Sequence, residues 1–103
     1  MNQPVCLSRS SSRPARRPVI GIFAPCDPRV DARSRRRACA IVEMAARVIA
    51  TRVTLPGGLP VSVVWTPVLV DGERQADVVA QQFRDAGVDI LVGVPDTWAF
   101  PQL

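Results

Sequence analysis

Residues 19–23, Val19-Ile20-Gly21-Ile22-Phe23, lead into Ala24-Pro25-Cys26-Asp27-Pro28, and the fold is read outward from this stretch. Five apolar residues between Pro18 and Pro25 make a short strand buried on both faces. From about Ala32 the hydrophobic period changes to 3.6 and holds to Val53. Val42, Ala45, Ile49 and Val53 then share one helical face, Ile41 and Val48 flank it, and Glu43 and Arg47 lie opposite. Asp31 is placed to cap that helix. Leu55-Pro56-Gly57-Gly58-Leu59-Pro60 ends it, and Val61-Ser62-Val63-Val64-Trp65 is a second strand. After the turn Val70-Asp71-Gly72, a second helix starts at Asp71 or Gly72 and runs to about Ala86, with Ala76, Val79, Phe83 and Ala86 facing inward. Gly87 sits where a left-handed residue closes a helix. Asp89 to Val94 is a third strand, stopped by Pro95.

Strand, helix, strand, helix, strand is an α/β pattern: a three-stranded parallel sheet, one βαβαβ half of a doubly wound (Rossmann- or flavodoxin-like) fold. The near-continuous Val, Ile and Leu content of its strands predicts helices on both faces. The 103 residues suffice for one domain. Three parallel strands leave two long open edges, so the sheet is expected to be incomplete and the chain to be a truncated domain. Residues 1–17, rich in Arg and Ser with no acid, carry too little apolar surface to build a core. They are expected to be a disordered leader on a domain spanning 18–103.

Composition narrows the chemistry. The chain is 48% hydrophobic and 21% charged, which suits a globular domain. All 13 basic residues are Arg, and Lys, His and Tyr are absent. A Lys Schiff base, a Ser-His or Cys-His pair, a His metal ligand and a Tyr acid are thereby excluded. Residues 1–37 hold nine Arg against two Asp, whereas residues 38–103 hold four Arg against seven acids. The three Cys, odd in number and without CxxC spacing, point to reduced thiols and a cytoplasmic setting. No apolar run approaches the length of a membrane span.

Ligands of open α/β sheets bind beyond the carboxyl ends of the strands, where the strand order reverses. With a 2-1-3 order, the loop Ala24 to Arg29 and the segment Pro95-Asp96-Thr97-Trp98 share one crevice. Asp27, Arg29, Asp96 and Trp98 can then converge on a polar ligand. Neither segment carries GxGxxG or GxxxxGK[ST], so dinucleotides and Walker-type nucleotides are disfavoured. A carboxylate, a guanidinium and an indole suit a polyol. The competing reading makes Asp27 and Arg29 a loop-closing ion pair and Trp98 an anchor under the next helix.

The run Gly87-Val88-Asp89-Ile90-Leu91-Val92-Gly93-Val94-Pro95-Asp96-Thr97-Trp98-Ala99-Phe100-Pro101-Gln102 resembles the first-domain signature of the L-fucose isomerase family, which includes D-arabinose-isomerising members. Pro18 to Ile22 with Asp27-Pro28-Arg29 is similar to the family's opening strand and its Asp-x-Arg loop. Val70 to Asp77 is similar to the segment before its second helix. The resemblance implies an aldose–ketose isomerase that works through Mn2+, the metal being held by a Glu, an Asp and a His of later domains. It also implies a homo-oligomer, a hexamer, in which this domain contacts the sugar, in part at a neighbouring subunit's site. By that resemblance Trp98 is the sugar-stacking Trp and Arg29 the Arg of the opening loop. Phe23 stands where some members carry a further Arg. The 103-residue chain itself, without His, is expected to bind no metal and to be inactive alone, contributing sugar contacts.

The alternative from another class is a non-enzymatic α/β binding module that takes nucleic acid through the Arg-rich N-terminus and Arg33, Arg35, Arg36 and Arg37. No interleaved aromatics or helix-turn-helix pattern accompany these arginines, which disfavours a nucleic-acid partner.

Overall fold

The structure, a computed structural model, describes residues 2–6 and 17–95. Its elements run β1 (Val5–Cys6), β2 (Val19–Phe23), α1 (Ala32–Arg52), β3 (Ser62–Trp65), α2 (Glu73–Asp85) and β4 (Ile90–Gly93). The strands form one parallel sheet in the order β1-β3-β2-β4. Registers such as Ile20 with Val63 and Gly21 with Leu91 put β2 at its centre. This is the expected βαβαβ unit, and the three strands foreseen in the sequence take the 2-1-3 order.

Two cores form, one on each face of the sheet. On one face Ile22, Val61 and Val63 pack with Ala38, Val42, Ala46 and Ala50 of α1. On the other, Val19 and Val64 pack with Val79, Phe83 and Ala86 from α2 and its C-cap. Strand residues alternate between the two, so both faces demand apolar side chains. That is why the strands read as continuous runs rather than as alternating patterns.

Both helices carry the stop and start signals foreseen for them. Asp31 caps α1, its Oδ1 accepting from the Ser34 backbone N–H at 2.8 Å. Gly87 adopts φ 70°. The Gly87 N–H donates to Arg84 O and the Val88 N–H to Phe83 O, each at 3.0 Å. This is the paired closure that a left-handed glycine permits. The Val19 N–H donates to Asp89 Oδ2 at 2.9 Å and the Asp89 N–H to Val19 O at 2.8 Å, which locks the start of β4 to the start of β2.

The structure departs from the sequence expectation in three places. First, the described residues form four strands rather than three. Val5–Cys6, inside the segment expected to be disordered, pairs in parallel with Val64 and Trp65. Asn2 Nδ2 supports it by donating to Ala50 O and Val61 O at 3.0 and 2.6 Å. Two apolar residues are too few to show a period, and the open edge of β3 supplies what the local sequence lacks. Arg17, counted with the leader, donates to Pro60 O; residues 7–16 lie outside the described residues.

Second, the buried stripe of α1 is Ala38, Val42, Ala46 and Ala50, whereas Val48 and Val53 are exposed. Val42 is buried as expected, and Ala38, Ala46 and Ala50, small residues at the same spacing of four, let the helix axis approach the sheet closely, while Ala45 and Ile49 lie half-buried at its flanks. Third, β4 is not buried on both faces: Ile90 is 51% and Leu91 64% exposed. Among the described residues β4 is the outermost strand on its side, with β2 as its one neighbour.

Candidate functional site

The carboxyl ends of β2 and β4 lie side by side. Phe23 pairs with Gly93, and the Val94 N–H donates to Phe23 O at 2.9 Å. From β2 the chain leaves through α1 towards β3 on one side; β4 lies on the other side. The reversal of strand order therefore falls between β2 and β4, the position where such sheets form their ligand crevice.

The loop after β2 is tied on its other flank to the segment after β3. Cys26 N–H donates to Val70 O and Val70 N–H to Ala24 O, both at 2.9 Å. Within the loop, Asp27 is fully buried. Its Oδ1 accepts from the Arg29 backbone N–H at 2.8 Å, a side-chain turn of the kind Asp favours. The same oxygen accepts from Arg29 Nε at 3.0 Å, and Oδ2 accepts from Nη2 at 3.3 Å. This two-pronged bond holds the Asp27 carboxyl below its ordinary pKa, against the effect of burial, and raises that of Arg29. The Arg29 side chain nevertheless remains 63% exposed. A buried carboxylate thus holds a largely exposed guanidinium in the loop beyond the carboxyl end of β2.

A second ion pair, with no signal in the sequence, joins α1 to the approach to α2. Arg35 Nη2 bonds Asp71 Oδ2, while Arg35 Nη1 lies 3.9 Å from Cys26 Sγ. The two residues are 36 apart in sequence, so only packing reveals the pair. Cys39, one turn beyond Arg35, donates its thiol to Pro67 O at 3.3 Å. Burial pushes the Cys39 thiol up in pKa, against the opposing charge of Arg35. The three cysteines differ in exposure: Cys6 is exposed, Cys39 half-buried and Cys26 buried.

Of the four candidates read from the sequence, Asp27 and Arg29 are brought together, as an ion pair. Asp96 and Trp98 lie outside the described residues, which end at Pro95 beside the same crevice. Arg33, Arg36 and Arg37 are exposed on the opening turns of α1, whereas Arg35 turns inward to Asp71. Among the described residues, no three of His, Cys, Asp and Glu come together to hold a metal. No helix among them is long and apolar enough to cross a membrane.

A family model described as the L-fucose isomerase first N-terminal domain matches residues 17–103. The chain belongs to the L-fucose isomerase family. The match takes in every element from β2 to β4, together with the Asp27–Arg29 loop and the segment that follows Pro95. β1 lies outside it, so the strand that sequence reading missed is also one the family match does not include. No curated protein and no solved structure matches the chain. Within an L-fucose isomerase first domain, the features described above place the Asp27–Arg29 pair at the carboxyl edge and the Arg35–Asp71 pair one loop away.

Proposed function

We propose that this chain is the sugar-recognising N-terminal part of an aldose–ketose isomerase and that the loop from Ala24 to Val30 meets the substrate. One observation carries this reading: a buried Asp27 fixes a largely exposed Arg29 in the loop that leaves the carboxyl end of β2, a strand next to which the order reverses. Guanidinium N–H groups donate to sugar hydroxyls, and a guanidinium that is already held loses little freedom on doing so. Asp27 acts in this reading as a positioning residue for Arg29. Asp96 and Trp98, which follow Pro95 in the sequence, are assigned in this reading a further polar group and a stacking face for the sugar.

The Mn2+ that the family resemblance implies does not fit the described residues. Asp27 already accepts three hydrogen bonds from Arg29, and no cluster of three ligating side chains exists among them. The ligands, and the proton transfer between C1 and C2, belong in this proposal to other parts of a homo-oligomeric, cytoplasmic enzyme.

The test is a titration of the 15N-labelled chain with L-fucose and D-arabinose. The expected outcome is saturable shifts at the amides of Cys26, Asp27, Arg29, Val30 and Val94, lost in Arg29→Ala. Shifts absent from these amides, or unchanged in Arg29→Ala, refute the reading.

A further inference from the structure

The loop that carries Asp27 and Arg29 is tied down on both flanks, and one side chain outside it reaches both ties. On the sheet side Pro25 and Val70 form a parallel bridge, closed by Cys26 N–H to Val70 O and Val70 N–H to Ala24 O. On the helix side Val30 N–H donates to Asp27 O at 3.1 Å and Arg35 N–H to Asp31 O at 3.0 Å, so the loop passes directly into the first turn of α1. Arg35, on that turn, spans the two flanks. Its Nη2 bonds Oδ2 of Asp71, the residue after Val70, and its Nη1 donates to Cys26 Sγ at 3.9 Å.

The contacts continue inward. Cys26 is fully buried, and its thiol donates to Asp27 O at 3.4 Å. A chain of polar contacts therefore runs from the Asp71 carboxylate through the Arg35 guanidinium and the Cys26 thiol to the backbone of Asp27, whose side chain grips Arg29. Arg35 and Asp71 are 31% and 15% exposed, so water competes less for this pair than for a surface pair such as Arg47–Glu43. The two ends of one planar fork go to two different partners, a geometry that a Lys ammonium on a similar stem does not reproduce.

We propose that Arg35, braced by Asp71, is a positioning residue for sugar recognition: it fixes the backbone at Cys26 and Asp27 and so sets the direction in which Asp27 presents Arg29. The brace stands on the contacts above; its consequence for sugar rests on the proposed function.

The experiment separates the two. The 15N-labelled 103-residue chain is compared with Arg35→Lys, which keeps the charge and loses the fork, and with Asp71→Asn, which releases it. Arg47→Gln serves as the control for loss of an exposed ion pair. Two readouts are taken well below the Tm of each variant: the Nε–Hε resonance of Arg29, which needs no ligand, and the affinity for L-fucose and D-arabinose. Arg35→Lys and Asp71→Asn are both expected to move the Arg29 resonance. Both should weaken sugar binding about threefold or more, the scale of one long side chain losing its preset order. Arg47→Gln should change neither readout. Cys26→Ala cuts the same chain in its middle with the ion pair kept, is expected to give the same two changes, and decides the matter if either of the first two variants fails to fold. An ion pair that is merely structural would lower Tm and leave both readouts of the folded chain where they were, and that result overturns the proposal. So does an unmoved Arg29 resonance, or sugar affinity in the variants equal to that of the wild type. If the wild type binds neither sugar while the Arg29 resonance still answers to Arg35→Lys and Asp71→Asn, the proposed function fails and the brace on Arg29 is supported.

Discussion

Gly21→Ala isolates the contact that sets the depth of the α2 layer on the sheet. A methyl group built on Gly21 meets Val88 Cγ1 at 2.9 Å and two ring carbons of Phe83 at 3.0 Å. Phe83 cannot swing away easily: it is 3% exposed and meets Phe23 edge-on at 6.4 Å between ring centres. Two effects oppose each other. Replacing Gly with Ala reduces the entropy of the unfolded chain, which favours the variant by about 0.4–1 kcal/mol. Overpacking a filled core costs about 1–3 kcal/mol. The clash wins, leaving Gly21→Ala about 1–2 kcal/mol less stable.

For a domain of this size that is a fall in Tm of roughly 5–15 °C, read by circular dichroism or by urea titration with an unchanged m-value. The attribution to Phe83 is checked with Phe83→Leu and the double variant. If the ring is what the methyl meets, the two changes are less damaging together than their sum by about 0.5–3 kcal/mol. Strict additivity would clear Phe83 of the clash. A Gly21→Ala chain as stable as the wild type would refute the packing argument itself.

Three further outcomes are expected. Because Arg29 depresses the folded pKa of Asp27, the contribution of Asp27 is complete above the ordinary carboxylate pKa. It is lost as the pH falls through the lower folded value. Urea titrations across this acid range should therefore show a shallower loss for Asp27→Asn than for the wild type; equal slopes would show that the pair does not titrate as described. Thiol labelling at pH 8 should follow the order Cys6, Cys39, Cys26, the last reacting only as the chain opens, since it is fully buried; rapid labelling of Cys26 in the native chain contradicts the packing of the loop after β2. In a complete homologous enzyme, Trp98→Ala should lower kcat/KM by about 1–3 kcal/mol, taking base–aromatic stacking as the guide, with the fold kept. A variant that unfolds while its folded fraction keeps normal kinetics makes Trp98 structural.

The fold was legible where physical signals are local or periodic. Val19–Phe23 is apolar without interruption, α2 shows its inner face at Val79 and Phe83, and Gly87 marks a closure that needs positive φ. Legibility failed where tertiary packing overrides local pattern. On α1 the apolar period finds Val42, yet close approach to the sheet selects Ala38, Ala46 and Ala50 beside it rather than Val53. For β1, two residues gain their strand conformation from the open edge of β3, which no window of sequence contains. The exposure of Ile90 and Leu91 likewise depends on which strand ends up outermost.

The site divides along the same line. Asp27 and Arg29 are two residues apart, so their pairing could be read from sequence, whereas Arg35 and Asp71 meet only because α1 and the β3–α2 connection converge. What sequence could not decide was whether Asp27–Arg29 is an internal ion pair or a ligand contact. The geometry shows the ion pair, and the proposed ligand contact does not require breaking it. Asp27 is wholly buried and its carboxylate engaged by three Arg29 N–H donors, while the Arg29 side chain is mostly exposed. An ion pair with one member buried and the other exposed is a means of orienting a guanidinium before a ligand arrives. Removal of Asp27 should therefore act through Arg29, weakening sugar binding without itself having touched the sugar. Arg29→Lys, which keeps the charge but loses the planar fork that Asp27 grips, should weaken binding in the same direction.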